Sequence, residues 1–578
     1  MKIPKALSYV NVASTYNELR DDRAEYEAEW RTISDYLLPG RGIYQTYSKP
    51  RKRKLTSPKV VNNIAEDALL VLTSGMHGGL TSPSRPWFKL AWEDPRLNQV
   101  DQLKTWIQKA TDILHFMLHA SNFYSVINNF YVEYAGFGTA ACYVGEDTGT
   151  DEVPFYFNIL TVGEYAFSIG PAGRPNQFCR TIFMSERQLV ERFGKAVSKR
   201  VRKRVETNQS GVDIPSFTVL EYIGKYKYDS QRPWTQIFYE VQSKGAPSGA
   251  PFVGNEMPEP LEVNGFYEFP YPLARWSTIG SDTYGLGPGS RALPDIKRLQ
   301  EMEKAFLMAT HKAINPPLNA PARMKGKLNT LPGGYNYYSN PQETVNEIYT
   351  VKFDYMGVSN AVERVEQRIR RNFFNDIFLT ANRDPNATPY KAMEVTVREQ
   401  EKMLRLGPVI EGLQSEFLSP LIERCFNILL RKELLPPLDP ALAQLAGSYH
   451  ITLVSPLATA QRGVALHGIN SFLAFVGQAA QFDQRVLDKI DTDKAVDEYA
   501  DITGVQTDIL RPDAEVQQIR KARAKAQAQE KAQAEQMAQA QLQSQLNKDQ
   551  AQAAKLQAEA GATYTEGQQA RQEAGIGT

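Results

Sequence analysis

Hydrophobic residues recur every three or four positions in two stretches near the middle of the chain. The first stretch predicts a helix over about residues 294–314, with Asp, Glu, Lys and Arg on its other side. Its apolar positions are Ala292, Leu293, Ile296, Leu299, Met302, Phe306, Ala309 and Ala313. Asn315-Pro316-Pro317 ends this helix, because proline has no N–H donor and disfavours helix in the residue before it.

A second amphipathic helix is predicted to begin near residue 360, where Glu363 is placed to complete a capping box. Its apolar positions are Val358, Val362, Val365, Ile369, Phe373 and Ile377. Between the helices, residues 329–352 are rich in Tyr, Val and Thr and contain a Pro-Gly-Gly turn, which predicts hairpin strands. Residues 380–390 form a polar loop with two prolines.

Two antiparallel amphipathic helices do not form a domain alone, because each needs a partner for its apolar side. We therefore expect neighbours on both flanks of this pair. Our hypothesis is that these neighbours are copies of the same chain in a ring.

The chain before this pair predicts an α+β region. Helices are expected over residues 12–38, 61–80 and 100–134. Strand-like runs follow at 140–144, 154–157, 165–169, 217–225 and 234–241. A helix over 186–204 interrupts the strands and ends in the basic cluster Lys199, Arg200, Arg202, Lys203 and Arg204.

The chain after the pair predicts mostly helix. A long helix over 388–433 contains Pro408 and Pro420 and should be kinked. A strand at 450–454 and a helix over 461–503 follow. Residues 513–560 contain no glycine or proline and are rich in Ala and Gln, which predicts a long helix. This helix is either an exposed, frayed tail or part of a tube of several copies, and the tube is favoured. Residues 561–578 are expected to be disordered.

Composition limits the classes of function. The 578 residues predict about three to five domains. The net charge of +1 gives no global attraction to nucleic acid or anionic lipid. Three scattered cysteines fit neither a disulfide framework nor a zinc site.

Neither a signal peptide nor a run of about 18–20 apolar residues is present, so no membrane partner is expected. The basic loop 49–54 could contact DNA, but a solvated loop is the favoured interpretation.

Motifs for catalysis are missing from the sequence. No GxxxxGK[ST] phosphate loop and no GxSxG elbow occur. The glycines of 285–289 do not have GxGxxG spacing, and a sharp turn before a helix explains them. His115 and His119 have helical i,i+4 spacing, but packed histidines are favoured over a metal pair that lacks a third ligand. We therefore assign no catalytic residue, metal or cofactor, and do not expect an enzyme.

Charged and aromatic residues around the helix pair are the candidate contact sites. In a ring, charges on the two helices would face the adjacent subunit or the lumen; they are Lys297, Lys304, Arg364, Arg368 and Arg371. Candidates for light contacts with DNA in the polar loop are Asn382, Arg383, Asp384 and Asn386. Candidates for contacts with a partner protein between the helices are Lys325, Lys327, Tyr335 and Tyr337.

Several ordered motifs resemble the head-to-tail connector, or portal, proteins of short-tailed bacteriophages. They span most of residues 10–510 and are Leu38-Pro39-Gly40, Ser74-Gly75-Met76, Gly79-Leu80-Thr81-Ser82-Pro83, Pro86-Trp87-Phe88, Phe137-Gly138-Thr139, Tyr284-Gly285-Leu286-Gly287-Pro288, Ala292-Leu293-Pro294-Asp295-Ile296, Asn315-Pro316-Pro317, Ser455-Pro456-Leu457-Ala458 and Ala460-Gln461. Each motif is weak alone, and their order over this length is what makes the resemblance specific.

The resemblance implies a portal-type α+β subunit, predominantly helical, in a ring that is usually dodecameric. Its parts would be a wing (1–283 and 391–455), two stem helices (284–316 and 357–379), a clip (317–356), a channel loop (380–390), a crown (456–510) and a helical barrel (511–560).

The family also implies partners and a location. The ring would sit at one capsid vertex of the virion, after assembly in the host cytoplasm. Double-stranded DNA would pass through it, driven by a separate terminase. Tail adaptor or nozzle proteins, capsid and scaffold proteins would be further partners. Two alternatives stay open: a tail-tube or scaffold-like assembly protein, and a packaging ATPase or nuclease.

Overall fold

The computed structural model describes most of the body of the chain and a long C-terminal helix. Contacts divide the chain into two units, Met1–Gly504 and Val505–Thr578. The described residues are 7–42, 57–94, 96–97, 100–147, 153–171, 173–207, 217–229, 231–241, 259–337, 340–341, 344–348, 354–378, 405–438, 449–454, 472–479, 491, 493–496, 499 and 513–573.

Helices predominate in the body, as expected. In chain order they are α1 Tyr9–Tyr36, α2 Ile64–Leu80, α3 Asp101–Ala120, α4 Phe123–Phe137, α5 Glu186–Phe193, α6 Lys199–Glu206, α7 Pro288–Ile314, α8 Tyr355–Asn372, α9 Asn375–Phe378, α10 Gly407–Leu413 and α11 Ser419–Arg431. Residues 472–479 are also helical, within the range predicted for the crown.

The helix predicted over 100–134 is two helices, α3 and α4. The break falls at Ser121 and Asn122. The Asn122 side chain donates to the carbonyl of Phe157 at 2.7 Å and accepts from its N–H at 2.9 Å. The chain therefore turns where a side-chain amide pairs with a strand, and sequence periodicity does not report such a partner.

The described strands form four antiparallel sheets. They are β1 Phe88–Trp92, β2 Thr139–Glu146, β3 Phe155–Leu160, β4 Tyr165–Ile169, β5 Pro175–Met184, β6 Phe217–Gly224, β7 Trp234–Val241, β8 Glu262–Phe266, β9 Leu273–Arg275, β10 Leu318–Asn319, β11 Asn346–Glu347 and β12 Tyr449–Leu453. The sheet orders are β4-β5-β6-β7-β8, β3-β2-β9, β1-β12 and β10-β11. The β1–β12 pair joins the N-terminal part of the body to the return strand that was predicted at 450–454.

One large apolar core unites the body. It extends from Trp30 in α1 through α2–α4 and the small sheet to α7, α8, α10 and α11. A second cluster packs the start of α1 against the five-stranded sheet, and a third lies under α5 and α6. None of the described helices is long and apolar enough to cross a membrane.

The two central helices begin earlier than predicted. Pro288 occupies the first turn of α7, where its missing N–H costs nothing. Asp354 caps α8, because its side chain accepts from the N–H of Gly357 at 3.0 Å. The prediction that Glu363 completes the cap is therefore wrong.

The strands predicted over 329–352 are mostly absent from the described part of that range. Only β11 occurs there, and it pairs with β10, which precedes the range. Residues 329–337 form a loop in which the Asn336 side chain binds both backbone groups of Asn329, each at 2.7 Å. The side-chain amide takes the place that a strand partner would occupy.

Near Pro408 and Pro420, where a kink was expected, a π-helical segment interrupts the α-helix. Gln414–Leu418 is π-helical, and it separates α10 from α11. Each proline lies in the first turn of its α-helical segment, where a proline is tolerated. The part of the predicted helix over 388–404 lies outside the described residues.

The C-terminal helix spans Asp513–Glu573. It includes Gly561 and Gly567, so the expectation of disorder from residue 561 is wrong as far as residue 573. Each glycine costs a helix about 1 kcal/mol relative to alanine, and the flanking Ala, Gln and Glu residues favour helix.

Candidate functional site

The helical hairpin α7–α8 is the candidate site, and its inner end is built into the body. Ala292, Leu293, Ile296 and Leu299 of α7 are buried, as the apolar pattern predicts. From α8, Val365 and Ile369 are buried in the same core. Beyond residue 300, no residue of α7 is buried. The hairpin therefore has a buried inner half and an exposed outer half.

Glycines fix the start of α7 against the end of α4. We call them the glycine joint; they are Gly136, Gly138, Gly285, Gly287 and Gly289. A Cβ at Gly287 would lie 2.8 Å from the Ala135 carbonyl oxygen, and one at Gly289 would lie 2.9 Å from the Gly136 carbonyl carbon. Gly138 has a φ of +82°, in the left-handed region that favours glycine. These glycines thus allow two backbones to touch, rather than only turning the chain before a helix.

A polar junction ties both hairpin helices to the segment before α2. Gln300 is fully buried, and its side-chain oxygen accepts from the N–H groups of Val61 and Asn62 at 2.6 and 2.9 Å. Its amide nitrogen donates to the Asn62 carbonyl at 2.8 Å. The Asn62 amide donates to Glu303 of α7 at 3.0 Å and Glu366 of α8 at 2.9 Å. One asparagine therefore links the two helices.

Of the predicted charged residues on the two helices, all but Lys304 are exposed, and two form an ion pair within the chain. Lys297, Arg364 and Arg371 are exposed. Arg368 instead pairs with Asp295 of α7 at 2.8 Å, and Lys304 pairs with Glu301 at 3.1 Å. The Arg368 contact holds α8 against α7 within one chain, so this arginine is not a free cation.

The outer half of the hairpin exposes large apolar side chains as well as the predicted contact residues. Lys325 and Lys327 are exposed, and the rings of Tyr335 and Tyr337 are 80% and 88% exposed. The apolar set comprises Leu307, Met308, Ile314, Leu331, Ile348, Tyr355 and Met356. Such a density of exposed apolar surface is typical of an interface. The loop candidates Asn382, Arg383, Asp384 and Asn386 lie outside the described residues.

A buried charge cluster, which the sequence did not reveal, fixes α11 to the body. Arg424 is fully buried, and its guanidinium donates to Glu146 and Glu268, each at 3.2 Å, and to the Val144 carbonyl at 3.0 Å. Arg431 pairs with the same two carboxylates. Burial lowers the pKa of Arg424, whereas the two glutamates raise it. The two carboxylates and the Val144 carbonyl thus compensate the cost of burying the Arg424 charge.

The two histidines considered as a metal pair have separate packing contacts. His115 Nε2 lies 3.1 Å from the Phe88 carbonyl oxygen, and its ring stacks on Phe88 with centroids 4.0 Å apart. His119 packs against Tyr124. These contacts agree with the favoured interpretation. Among the described residues, no group of three or more His, Cys, Asp or Glu side chains could hold a metal ion.

The fold and this site define an α+β protein organised around an exposed helical hairpin. Residues 10–510 match the family described as "Bacteriophage head to tail connecting protein", and the chain belongs to that family.

Two curated proteins support the same assignment. A "Probable portal protein" of Bordetella phage BPP-1 is 31% identical over 528 residues, covering 89% of this chain and 91% of the relative. A "Portal protein" of Salmonella phage epsilon15 is 31% identical over 523 residues, covering 88% and 90%. A chain from the "Neck of empty GTA particle computed with C6 symmetry" is 12% identical and covers 74% of this chain and 90% of its own length. Its TM-score of 0.34 is too low to compare folds.

Proposed function

We propose that this chain is the subunit of a portal, a closed ring at one capsid vertex through which genome DNA enters and leaves the virion. Membership of the connector family and the names of the two curated relatives support this proposal. The structural observation that supports it most directly is the outer half of the hairpin. Leu307, Met308 and Met356 there are 44%, 63% and 68% exposed, and a neighbouring copy would cover them.

The proposed ring is a homo-oligomer of about twelve copies, on the pattern of the family. The exposed charges of the hairpin would face the neighbour or the lumen, and the polar loop 380–390 would narrow the channel. Few fixed cations in the lumen would suit passage of DNA, because each phosphate that is neutralised adds affinity and slows movement.

The proposed role is structural rather than enzymatic. A separate terminase would dock on the ring and supply the energy for packaging, and tail adaptor or nozzle proteins would replace it. Lys325, Lys327, Tyr335 and Tyr337 are the proposed contacts, because they are exposed at the end of the hairpin. Capsid and scaffold proteins would meet the ring during assembly in the host cytoplasm.

Electron microscopy of the purified full-length chain tests the ring directly. We expect closed rings with a central hole, and mass measurement of the same sample gives the subunit number. Filaments would favour a tail-tube or scaffold-like protein. Stable monomers under all conditions would contradict the proposal, and ATP hydrolysis or DNA cleavage by the protein alone would revive the enzyme alternative.

Deletion of residues 382–388 tests the channel loop. The deletion should spare ring assembly and impair packaging or retention of DNA, because the loop is polar and its sequence predicts a place between two helices. Normal genome filling by the deletion variant would count against a role for the loop.

Truncation after Pro512 tests the C-terminal helix. The truncated chain should still form a ring, because the buried residues of the described part all precede residue 477. Failure of the truncated chain to assemble would make the helix an oligomerisation element instead.

A further inference from the structure

Helices α5 and α6 form a small helical unit on one face of the five-stranded sheet. They are inserted between β5 and β6, and Leu189, Phe193, Val197 and Val201 pack against the sheet in a core of their own. Ser198, at the start of α6, donates from its N–H and its hydroxyl to the Glu240 carboxylate of β7, at 3.0 and 2.9 Å. These contacts anchor the side of the unit that faces the sheet. The side chains on its opposite, solvent-facing side are not needed for packing.

This unit concentrates positive charge in a nearly neutral chain. Residues 186–206 contain eight Lys and Arg and three Glu, a net charge of +5, whereas the whole chain carries +1. One of the three acids, Glu186, is buried. Two acids of the sheet interact with the unit: the Glu240 carboxylate accepts from Ser198, and the Arg192 charge acts on the buried Glu221. Even when both acids are counted as charged, a net charge of +5 − 2 = +3 remains, so positive charge dominates this surface.

Four of these cations are exposed and form no ion pair with a carboxylate within 4.0 Å among the described residues. Arg192, Lys195, Lys199 and Lys203 are exposed, and we call them the basic face. Lys199 and Lys203 have i,i+4 spacing, so they lie on the same side of α6. The Arg192 guanidinium lies 4.9 Å from the Phe193 ring centroid and 4.8 Å from that of Phe238. A stacked arginine is held in place while its N–H groups stay available to a ligand.

We propose that the basic face binds the phosphate backbone of duplex DNA, at a site separate from the hairpin. The positive charge of the basic face is complementary to a polyanion. Protein interfaces carry an apolar core and membrane-surface helices carry an apolar side, but none of the exposed large apolar side chains of the described residues lies in 186–206. Cations without apolar anchors fit a phosphate backbone. The choice of duplex DNA as the polyanion rests on the proposed portal function.

Covalently closed circular duplex DNA is the probe that separates this site from a channel. A closed circle cannot thread through a ring that has already assembled, so its retention reports an outer surface. The full-length protein is mixed with relaxed closed circles, and binding is measured by gel shift between about 50 and 200 mM salt, a range over which phosphate contacts lose affinity strongly. The ring test by microscopy uses no DNA, so the two proposals can fail independently.

The variant K199E/K203E is compared with K104E/K109E, which makes the same charge change at two exposed positions of α3. Loss of two phosphate contacts should make the negative slope of log affinity against log salt shallower by about 1.8 and weaken binding about 10-fold or more at about 0.1 M salt. The control should bind like the wild type. Circular dichroism checks that both variants keep their helices.

Three outcomes would overturn the proposal. One is that the wild type does not retain closed circles at about 50 mM salt. Another is an equal loss of binding in both double variants. The last is competition by polyglutamate as effective, per charge, as competition by DNA, which would assign the basic face to an acidic protein.

Discussion

Substitution of Gly289 by alanine tests the glycine joint. The new Cβ would lie 2.9 Å from the Gly136 carbonyl carbon, and closer still to its oxygen. Ordinary carbon contacts are about 3.5–4.0 Å, so the start of α7 and the end of α4 would have to separate by about 1 Å. Neither contacting atom belongs to a flexible side chain, so the strain cannot be relieved by a rotamer change.

The cost follows from what that separation would disturb. The Gly285 N–H donates to the Thr139 hydroxyl at 2.8 Å, and the Trp276 N–H donates to the Gly138 carbonyl at 2.8 Å. Overpacking costs about 1–3 kcal/mol, and each weakened hydrogen bond about 1 kcal/mol more. Alanine's helix propensity returns at most about 1 kcal/mol. We expect a net loss of about 2–4 kcal/mol in the free energy of unfolding.

Urea unfolding followed by tryptophan fluorescence measures this loss, since Trp276 is buried beside the joint. Gly412→Ala is the matched control, because no atom lies within 4 Å of the Cβ it would add in α10. The control should unfold at the same urea concentration as the wild type or a slightly higher one. If Gly289→Ala unfolds together with the control, the close approach of the two backbones does not constrain the fold.

Three further substitutions test other parts of the body by the same unfolding measurement. Gln300→Ala should lower the free energy of unfolding by about 2–4 kcal/mol, because two backbone N–H groups lose their acceptor. An unchanged urea midpoint would show that the polar junction does not stabilise the fold. Arg424→Ala should cost about 3–5 kcal/mol, and Arg424→Lys should not restore it, because one ammonium cannot reproduce the forked contacts. Burial lowers the pKa of His115, so the folded state stays neutral while the unfolded chain takes up a proton below about pH 6.5. Stability should therefore fall as the pH drops below that value, and His115→Gln should reduce this fall.

Sequence periodicity predicted the elements that have one clear apolar side. The predicted apolar positions of α7 are buried as far as Leu299, and those of α8 are buried from Val365 onward; the remaining positions, in the outer half, are not buried. It missed β5, which begins with Pro175 and has no regular alternation. It also missed β1, where no strand was predicted. The partner of β1 lies about 360 residues further along the chain, and one sequence contains no signal for a pairing at that distance.

The candidate site was predictable where it is exposed and unpredictable where it is joined to the body. The lysines and tyrosines at the end of the hairpin are exposed, as their polarity suggested. The polar junction depends on proximity between Asn62 and α7, which spacing alone does not give. One signal was available for Gln300: it follows Ile296 by four residues and therefore lies on the buried side of α7. A polar residue at such a position indicates a buried hydrogen-bond partner.

The two halves of α7 obtain their stability from different sources. The inner half is held by the core, the glycine joint and Gln300, all within one chain. In the outer half, the rings of Phe306 and Tyr355 pack with centroids 5.4 Å apart, and the apolar side chains around them are mostly exposed. An isolated helix pair of this length is marginal in water. The body therefore sets the direction of the hairpin, and a neighbouring copy in the proposed ring would bury its outer half. This division suits a subunit that must fold alone and then join a ring.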